Sequence, residues 1–171
     1  MNEQHWYIAF TRSCQDKNVA AALSARGYEV FVAVRRELRQ WSDRKKVVDR
    51  LLIPRVVFVR CTEQERRRSL DEIPYLTCYL SETPGTYKAA KVPDDQMETF
   101  IRMVDSANGE ITVTDRQLRP GDLVKVKEGA LAGRVVELVS VDGQDCLAVR
   151  LSLLGTACIQ IDRKSVELLK K

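Results

Sequence analysis

Residues 119–136, R-P-G-D-L-V-K-V-K-E-G-A-L-A-G-R-V-V, decide the fold predicted for the C-terminal third of this 171-residue chain. Pro120-Gly121 marks a tight turn, and valines alternate with lysines in the short strand that follows it. A second turn over 129–133 begins and ends with glycine and leads into a β-branched strand from Val135. Proline presets φ for a turn, and glycine adopts a positive φ without steric cost. The pattern predicts the beginning of a small β-barrel.

The rest of the C-terminal region continues this pattern. Five of the eight glycines follow residue 120, and strands are predicted near 122–127, 134–141, 145–151 and 156–161. Closely spaced strands with glycine turns predict a small all-β domain over 118–171. The segment 106–117 has few large apolar residues and no clear period, so it is predicted to be a linker.

The first 105 residues alternate between strand and helix patterns. Strands are predicted at 6–10, 28–32, 56–59 and 75–80. Ser13 with Asp16 has the spacing of a helix capping box, and Thr62 with Glu65 has the same spacing. A third helix is predicted to begin at Pro93-Asp94. Residues 1–105 therefore predict an α+β sandwich, and the whole chain predicts an α+β domain followed by a barrel.

Composition indicates a soluble globular protein. The chain is 44% hydrophobic and 30% charged, its net charge is +4, and its apolar runs are too short for a membrane span. The N-terminus has neither the basic nor the apolar region of an export signal, so a cytoplasmic location is expected.

The five cysteines predict reduced thiols. Their number is odd, no CxxC pair exists, and the single His5 completes no metal set. Cys61, Cys78 and Cys158 have apolar neighbours and are predicted to be buried, whereas Cys14 could be exposed.

The densest charge lies at 35–50, where seven basic residues accompany three acidic ones. The polar tip over 40–46 lies between apolar segments, which predicts a projecting hairpin or loop. Its cations could contact phosphates, and Trp41 could stack on a base or contact a protein. A solvated loop with Trp41 folded onto its own domain explains the composition equally well.

Arg66, Arg67 and Arg68 form a second basic cluster in the predicted second helix. Three consecutive helical residues cannot share one face, so at least one must point away from the others. The cluster could contact nucleic acid or an extruded base, and a solvated helix face is the other interpretation.

Motifs of the common enzyme classes are absent from the sequence. It has no GxxxxGK[ST], no GxGxxG after a strand and no GxSxG elbow. We expect neither catalysis nor a cofactor.

Two stretches of the sequence together resemble a known family. The segments W-Y-I-A-F-T-R-S at 6–13, R-Q-W-S-D-R-K-K-V-V at 39–48 and I-P-R-V-V-F-V at 53–59 resemble the N-terminal (NGN) domain of NusG-type transcription factors. The Q-W-S-D-R-K-K segment is especially similar to the UpxY branch, the specialised paralogues of capsule-polysaccharide operons. Residues 119–136 and the late strand pair at 151–161 resemble the KOW barrel of the same family.

The resemblance implies a processive elongation and antitermination factor. Such factors dock on the clamp helices of the largest RNA polymerase subunit, contact non-template or upstream DNA, and favour one conformation of the enzyme. The ribosome or a termination factor is a candidate partner of the KOW domain, and no membrane is involved. A KOW-type RNA- or ribosome-binding module without polymerase docking is the alternative.

The family also implies site residues. The polymerase-docking surface corresponds to Trp6, Tyr7, Phe10, Ile53, Val56 and Phe58. Nucleic-acid contact corresponds to Arg12, Arg39, Trp41, Arg44, Lys45, Lys46, Arg67 and Arg68. Core packing explains Trp6 and Tyr7 equally well. Arg55-Val56 replaces the family's usual aromatic pattern, so docking could be weaker or shifted.

Overall fold

The computed structural model of the chain describes residues 2–105 and 110–169. The N-terminal part consists of β1 (His5–Thr11), α1 (Asp16–Ala25), β2 (Glu29–Phe31), β3 (Val34–Gln40), β4 (Lys45–Leu51), β5 (Val56–Cys61), α2 (Glu63–Glu72), β6 (Leu76–Tyr79), β7 (Lys91–Val92) and α3 (Asp94–Asp105). The C-terminal part contains β8 (Ile111–Thr114), β9 (Asp122–Val126), β10 (Val135–Val141), β11 (Gln144–Arg150), β12 (Thr156–Gln160) and β13 (Val166–Leu168). The predicted mixture of an α+β part and an all-β part is confirmed.

The N-terminal sheet is antiparallel and has the order β2-β5-β1-β6, with β7 paired to one end of β1. Side chains alternate between its faces, and both faces are covered, which explains the continuous apolar run of β5. Tyr7 faces a cluster that includes α1 residues and Leu70 of α2. Trp6 and Phe58 face the opposite side, which is covered by α3. We call this side the α3 face.

Helix capping confirms one prediction and corrects another. The Thr62 hydroxyl accepts from the Glu65 amide at 3.3 Å, and the Glu65 carboxylate accepts from the Thr62 amide at 2.8 Å, which completes the predicted capping box. The Ser13 prediction is wrong, because α1 has Gln15 at its N-cap without a side-chain cap. Asp16 is buried and accepts a hydrogen bond from Thr11 instead.

The β3 and β4 strands form a separate two-stranded ribbon. Val34 pairs with Leu51 at its base and Gln40 pairs with Lys45 near its tip, where the Trp41 amide donates to the Arg44 carbonyl at 2.8 Å. The predicted hairpin is confirmed.

The C-terminal sheet has six antiparallel strands in the order β13-β9-β10-β11-β12-β8. Strand β8 comes first in the chain among these strands and lies at one edge of the sheet. It falls within the segment 106–117 predicted to be a linker, and residues 106–109 of that segment lie outside the described residues. Ile, Thr and Val favour a strand, and pairing with β12 satisfies their backbone groups. Closure of this sheet into a barrel stays a prediction.

The glycines of the 119–136 segment act in two ways. Gly129 and Gly133 have φ of +86° and +81°, as the turn prediction requires. Gly121 is needed for space instead, because a Cβ at this position would lie 1.7 Å from the Leu138 carbonyl oxygen. The prediction of a positive φ at Gly121 is wrong, because Gly121 is not among the glycines that adopt one.

All five cysteines are free thiols. Cys61, Cys146 and Cys158 are buried, and Cys14 is exposed as expected. The prediction for Cys78 is wrong, because Cys78 is exposed on the edge strand β6. Burial raises the pKa of the Cys61 thiol to about 12, so this thiol stays protonated.

Candidate functional site

Most of the predicted polymerase-docking residues are buried in the N-terminal core. The buried members are Trp6, Tyr7, Ile53, Val56 and Phe58. Phe58 has no solvent exposure, and its ring lies 6.2 Å from Phe31 and 5.6 Å from Phe100 of α3. Tyr7 points to the opposite side of the sheet from Trp6. In this structure these residues can support a docking surface, but most of them are not its exposed part.

Part of the α3 face remains open at the C-terminal end of β1. Phe10 is half-buried there, and Cys78 pairs directly with it on β6. Residues directly opposite in an antiparallel pair share one face, so the exposed Cys78 side chain lies beside Phe10. Leu80 is partly buried on the same cluster. These three residues form an apolar patch that we call the Phe10 patch.

A cationic edge adjoins the Phe10 patch. The Thr11 amide donates to the Arg55 carbonyl at 3.0 Å, and the Arg12 amide donates to the Tyr75 carbonyl at 3.0 Å. The side chains of Arg12, Arg55 and Tyr75 are exposed, and we call this group the Arg12 edge. Arg55 and Tyr75 have φ of 64° and 67°, and Cys14 in the adjacent loop has 61°. Non-glycine residues in this conformation are uncommon and concentrate at functional sites.

The β3–β4 ribbon carries the predicted cations at its exposed tip. Arg39, Arg44, Lys45 and Lys46 are all exposed, and 58% of Trp41 is accessible to solvent. Trp41 is therefore not folded onto its own domain, contrary to one of the two interpretations of the sequence. Leu38 and Val47 pair directly with each other and are 64% and 59% exposed. The ribbon thus presents apolar side chains among cations.

The structure separates the three consecutive arginines of α2. Arg66 is buried, and its guanidinium lies 5.7 Å from the Tyr7 ring centroid and 5.3 Å from that of Tyr79. It donates two hydrogen bonds to Glu63, at 2.8 and 2.6 Å. The Arg66 hydrogen bonds lower the pKa of Glu63 to about 2. Arg66 is therefore a structural residue, and it is the member of the cluster that points away from the other two, as the helical geometry required of at least one of them.

Arg67 and Arg68 are exposed but point into different grooves. Arg67 lines a cavity with Tyr7 and Tyr87, whereas Arg68 lines one with Arg26 and Tyr28. Tyr7 lies on β1, and Arg12 directly follows the end of β1 five residues later, about 17 Å away along the extended chain. Because of this separation, Arg67 and the Arg12 edge do not form one compact site.

Sequence reasoning missed two exposed tyrosines beside these cations. Tyr75 follows Pro74, and Tyr87 follows the Pro84-Gly85 turn, with exposed fractions of 50% and 95%. An aromatic residue directly after a turn was the available signal, since loops carry much of the binding function of proteins.

The C-terminal sheet packs against α3. The amide of Arg150 in β11 donates to the Gln96 side chain of α3 at 3.1 Å. Apolar residues of the two parts belong to one continuous cluster, which contains Phe100 of α3 and Leu147 and Val149 of β11. Helix α3 therefore lies between the N-terminal sheet and the C-terminal sheet.

The described residues contain neither a candidate metal site nor a helix that could span a membrane. Over 2–105 and 110–169, no group of three or more His, Cys, Asp or Glu side chains could hold a metal ion. No helix in these ranges is long and apolar enough to cross a membrane.

Comparison with known protein families places the N-terminal part of the chain in a class of transcription factors. The family described as "Transcription termination factor nusG" matches residues 4–101. Because this match covers more than half of the chain, the protein belongs to the NusG family.

Solved structures that align with this chain include NusG of Thermotoga maritima, described as "Domain interaction in Thermotoga maritima NusG". It is 20% identical, the alignment covers 98% of each chain, and the TM-score is 0.47. The MjSpt4:Spt5 complex in conformation A is 14% identical, with 97% of this chain and 99% of that chain covered and a TM-score of 0.33. Conformation B is 15% identical, with 97% of each chain covered and a TM-score of 0.31. No curated protein matches the chain.

Proposed function

We propose that this protein is a processive transcription elongation and antitermination factor. It docks on the clamp helices of RNA polymerase through an apolar surface and contacts non-template and upstream DNA through its cationic side chains. It acts by binding one conformation of the polymerase more tightly than others, and it needs neither catalysis nor a cofactor.

One structural relationship carries this proposal: the Phe10 patch and the Arg12 edge are contiguous. Phe10, Thr11 and Arg12 are consecutive residues of one strand end, and Thr11 holds Arg55 beside them. An apolar surface bordered by cations suits a protein that binds a polymerase subunit next to an exposed DNA strand. Apolar burial supplies affinity, and phosphate contacts supply position.

The β3–β4 ribbon is proposed to contact upstream DNA. A two-stranded β-ribbon fits the major groove of a duplex, and the cations at the tip can neutralise phosphates. The Lys17 ammonium donates to Asp49 at 2.6 Å, which links the ribbon to α1 of the main body. The Q-W-S-D-R-K-K tip supports a UpxY-like specialisation to capsular polysaccharide-type operons.

The C-terminal sheet is proposed to be a KOW domain that binds the ribosome or a termination factor. Lys125 alternates with the buried Val124 and Val126 on β9, and Lys127 follows them, so these lysines are exposed on one side of the sheet. The same exposed lysines favour the alternative function, an RNA- or ribosome-binding module that does not dock on polymerase.

A charge at Cys78 tests docking without disturbing the core. Phe58→Asp would be uninformative, because Phe58 is fully buried and its replacement would report on folding. Cys78→Glu places a carboxylate on an exposed position of the Phe10 patch, and Ser24→Glu, on an exposed position of α1, is the matched control. Both variants are checked by circular dichroism.

Binding to core RNA polymerase and to an isolated clamp-helix fragment is then measured at low and moderate salt. We expect salt-tolerant binding by the wild type and Ser24→Glu, and at least a tenfold weaker affinity for Cys78→Glu. Normal binding by folded Cys78→Glu would exclude the Phe10 patch. Failure of the wild type to bind either target, together with salt-sensitive RNA binding, would favour the alternative.

A further inference from the structure

An ordered loop presents Tyr87 to solvent beside the N-terminal half of α2. Ser81 and Ala89 form an antiparallel bridge, and the Glu82 amide donates to the Lys88 carbonyl at 2.8 Å. Within the loop, the Thr86 hydroxyl donates to the Thr83 carbonyl at 2.7 Å. Tyr87 is 95% exposed although its loop is fixed by these bonds. The backbone contacts therefore fix the position of the loop, and Tyr87 extends from it into solvent.

Two shallow cavities lie next to each other on this part of the surface, and Tyr87 lines one of them. One has a volume of about 380 Å³ and is lined by Tyr87, Lys88 and Lys91. The other has a volume of about 390 Å³, and its lining residues include Asn2 and Gln64. Both are also lined by Glu63 and Arg67, so they form one continuous surface, which we call the Tyr87 groove.

The groove is cationic although it contains a carboxylate. Glu63 is already neutralised by the two hydrogen bonds from the buried Arg66. Arg67 is 71% exposed and uses only its Nε atom on Glu63, at 3.0 Å, so its terminal amino groups face solvent.

The lysines of the groove add to this positive charge. Lys88 pairs with Glu82 at 2.7 Å, while Lys91 is exposed and forms no ion pair with a residue in 2–105 or 110–169. Four cations therefore face two carboxylates in and around the groove.

We propose that the Tyr87 groove binds a single-stranded nucleic-acid segment. Tyr87 stacks on an unpaired base, Arg67 and Lys91 contact flanking phosphates, and the Asn2 and Gln64 amides can bond to base edges. A free aromatic face favours a single strand, because the bases of a duplex are already stacked on each other. An acidic peptide would satisfy the cations but would leave the aromatic ring and the amides without a specific role.

Apart from Arg67, the Tyr87 groove consists of residues that the proposed function does not assign to nucleic-acid contact. The groove contains Tyr7 of β1, which lies about 17 Å along the extended chain from Arg12. The inference stands on the groove itself, so it does not require polymerase docking to be correct.

The test measures fluorescence anisotropy of a labelled single-stranded oligonucleotide, roughly ten nucleotides long, with the full chain. We expect Tyr87→Ala to weaken binding about tenfold, because base–aromatic stacking contributes this much, and Tyr87→Phe to retain it. Lys91→Gln should reduce the slope of log affinity against log salt by about 0.7. Lys164→Gln removes an exposed cation of the C-terminal part and is the matched control for sites elsewhere.

Photocrosslinking determines independently where on the protein the oligonucleotide binds. A thiouridine-containing oligonucleotide should crosslink to a peptide containing Tyr87, and the crosslink should be lost in Tyr87→Ala. The proposal is overturned if Tyr87→Ala binds the oligonucleotide within twofold of the wild type. It is also overturned if polyglutamate binds with the same dependence on Tyr87. Polymerase binding of Tyr87→Ala is measured in parallel, and a defect there alone concerns the docking surface and not the groove.

Discussion

Arg134, which directly precedes β10, donates to Glu98 of α3 at 2.6 Å, and its second terminal amino group donates to Thr99 at 3.2 Å. These bonds join the C-terminal sheet to the outer side of a helix whose inner side packs on Phe58. Helix α3 consequently stabilises the N-terminal core and forms the contact between the two parts of the chain.

Reversing one charge of the Arg134–Glu98 pair should separate the C-terminal sheet from the N-terminal part of the chain. Glu98→Arg places two cations opposite each other, so the C-terminal sheet should leave α3 and the radius of gyration in small-angle scattering should increase. The swap Glu98→Arg with Arg134→Glu should restore the compact form. An unchanged radius for Glu98→Arg would show that the apolar contacts alone hold the two parts together.

Gly121 and Gly133 should respond differently to alanine. Gly121→Ala forces a Cβ against the Leu138 carbonyl, so the strands must shift, at a cost of about 3 kcal/mol in the free energy of unfolding. Gly133→Ala meets no atom within 4 Å and loses only about 1 kcal/mol, the penalty for a positive φ. Urea unfolding of both variants measures this difference, and equal losses would contradict the close approach at Gly121.

The Glu63–Arg66 pair should make stability depend on acid pH. The pKa of Glu63 is lowered from 4.5 to about 2, chiefly by its hydrogen bonds from Arg66. A carboxylate with a lowered pKa stabilises the folded state above its ordinary pKa, and this contribution is lost as pH falls through the folded-state value. We expect wild type to exceed Glu63→Gln in unfolding free energy at neutral pH. The difference should shrink below pH 4.5 and disappear near pH 2. A difference that does not change with pH would refute the ionised pair.

Removing the cations at the ribbon tip should weaken binding to duplex DNA. Changing Arg44, Lys45 and Lys46 to alanine should reduce the slope of log affinity against log salt by about 2.7, since each phosphate contact contributes about 0.9. Trp41→Ala tests the aromatic contact separately.

The matched control for the ribbon removes three exposed cations of the C-terminal part that no proposed binding surface includes, Arg116, Arg119 and Lys164. A control with the same loss of affinity as the ribbon variant would indicate a general charge effect and no specific ribbon contact.

Local sequence determined the elements that depend on neighbouring residues. The Thr62–Glu65 spacing predicts its capping box, the glycines at 129 and 133 predict their positive φ, and the polar tip between apolar segments predicts the β3–β4 hairpin. Each of these features is built from contacts within a few residues, so the sequence pattern contains the physical cause.

The tertiary structure decided what covers each face. An alternating pattern shows that Trp6 and Tyr7 lie on opposite sides of β1, but it cannot show that α3 covers one side while α1 and α2 cover the other. Likewise, helical spacing separates the three arginines, yet only the packing of Tyr7 and Tyr79 selects Arg66 as the buried one.

The exposure of Cys78 and the formation of strand β8 were also decided by the tertiary structure. Cys78 is exposed because β6 ends the sheet, and the 111–114 segment becomes a strand because β12 offers it unpaired backbone groups. Side-chain period is a local property of the chain, whereas burial depends on partners distant in sequence.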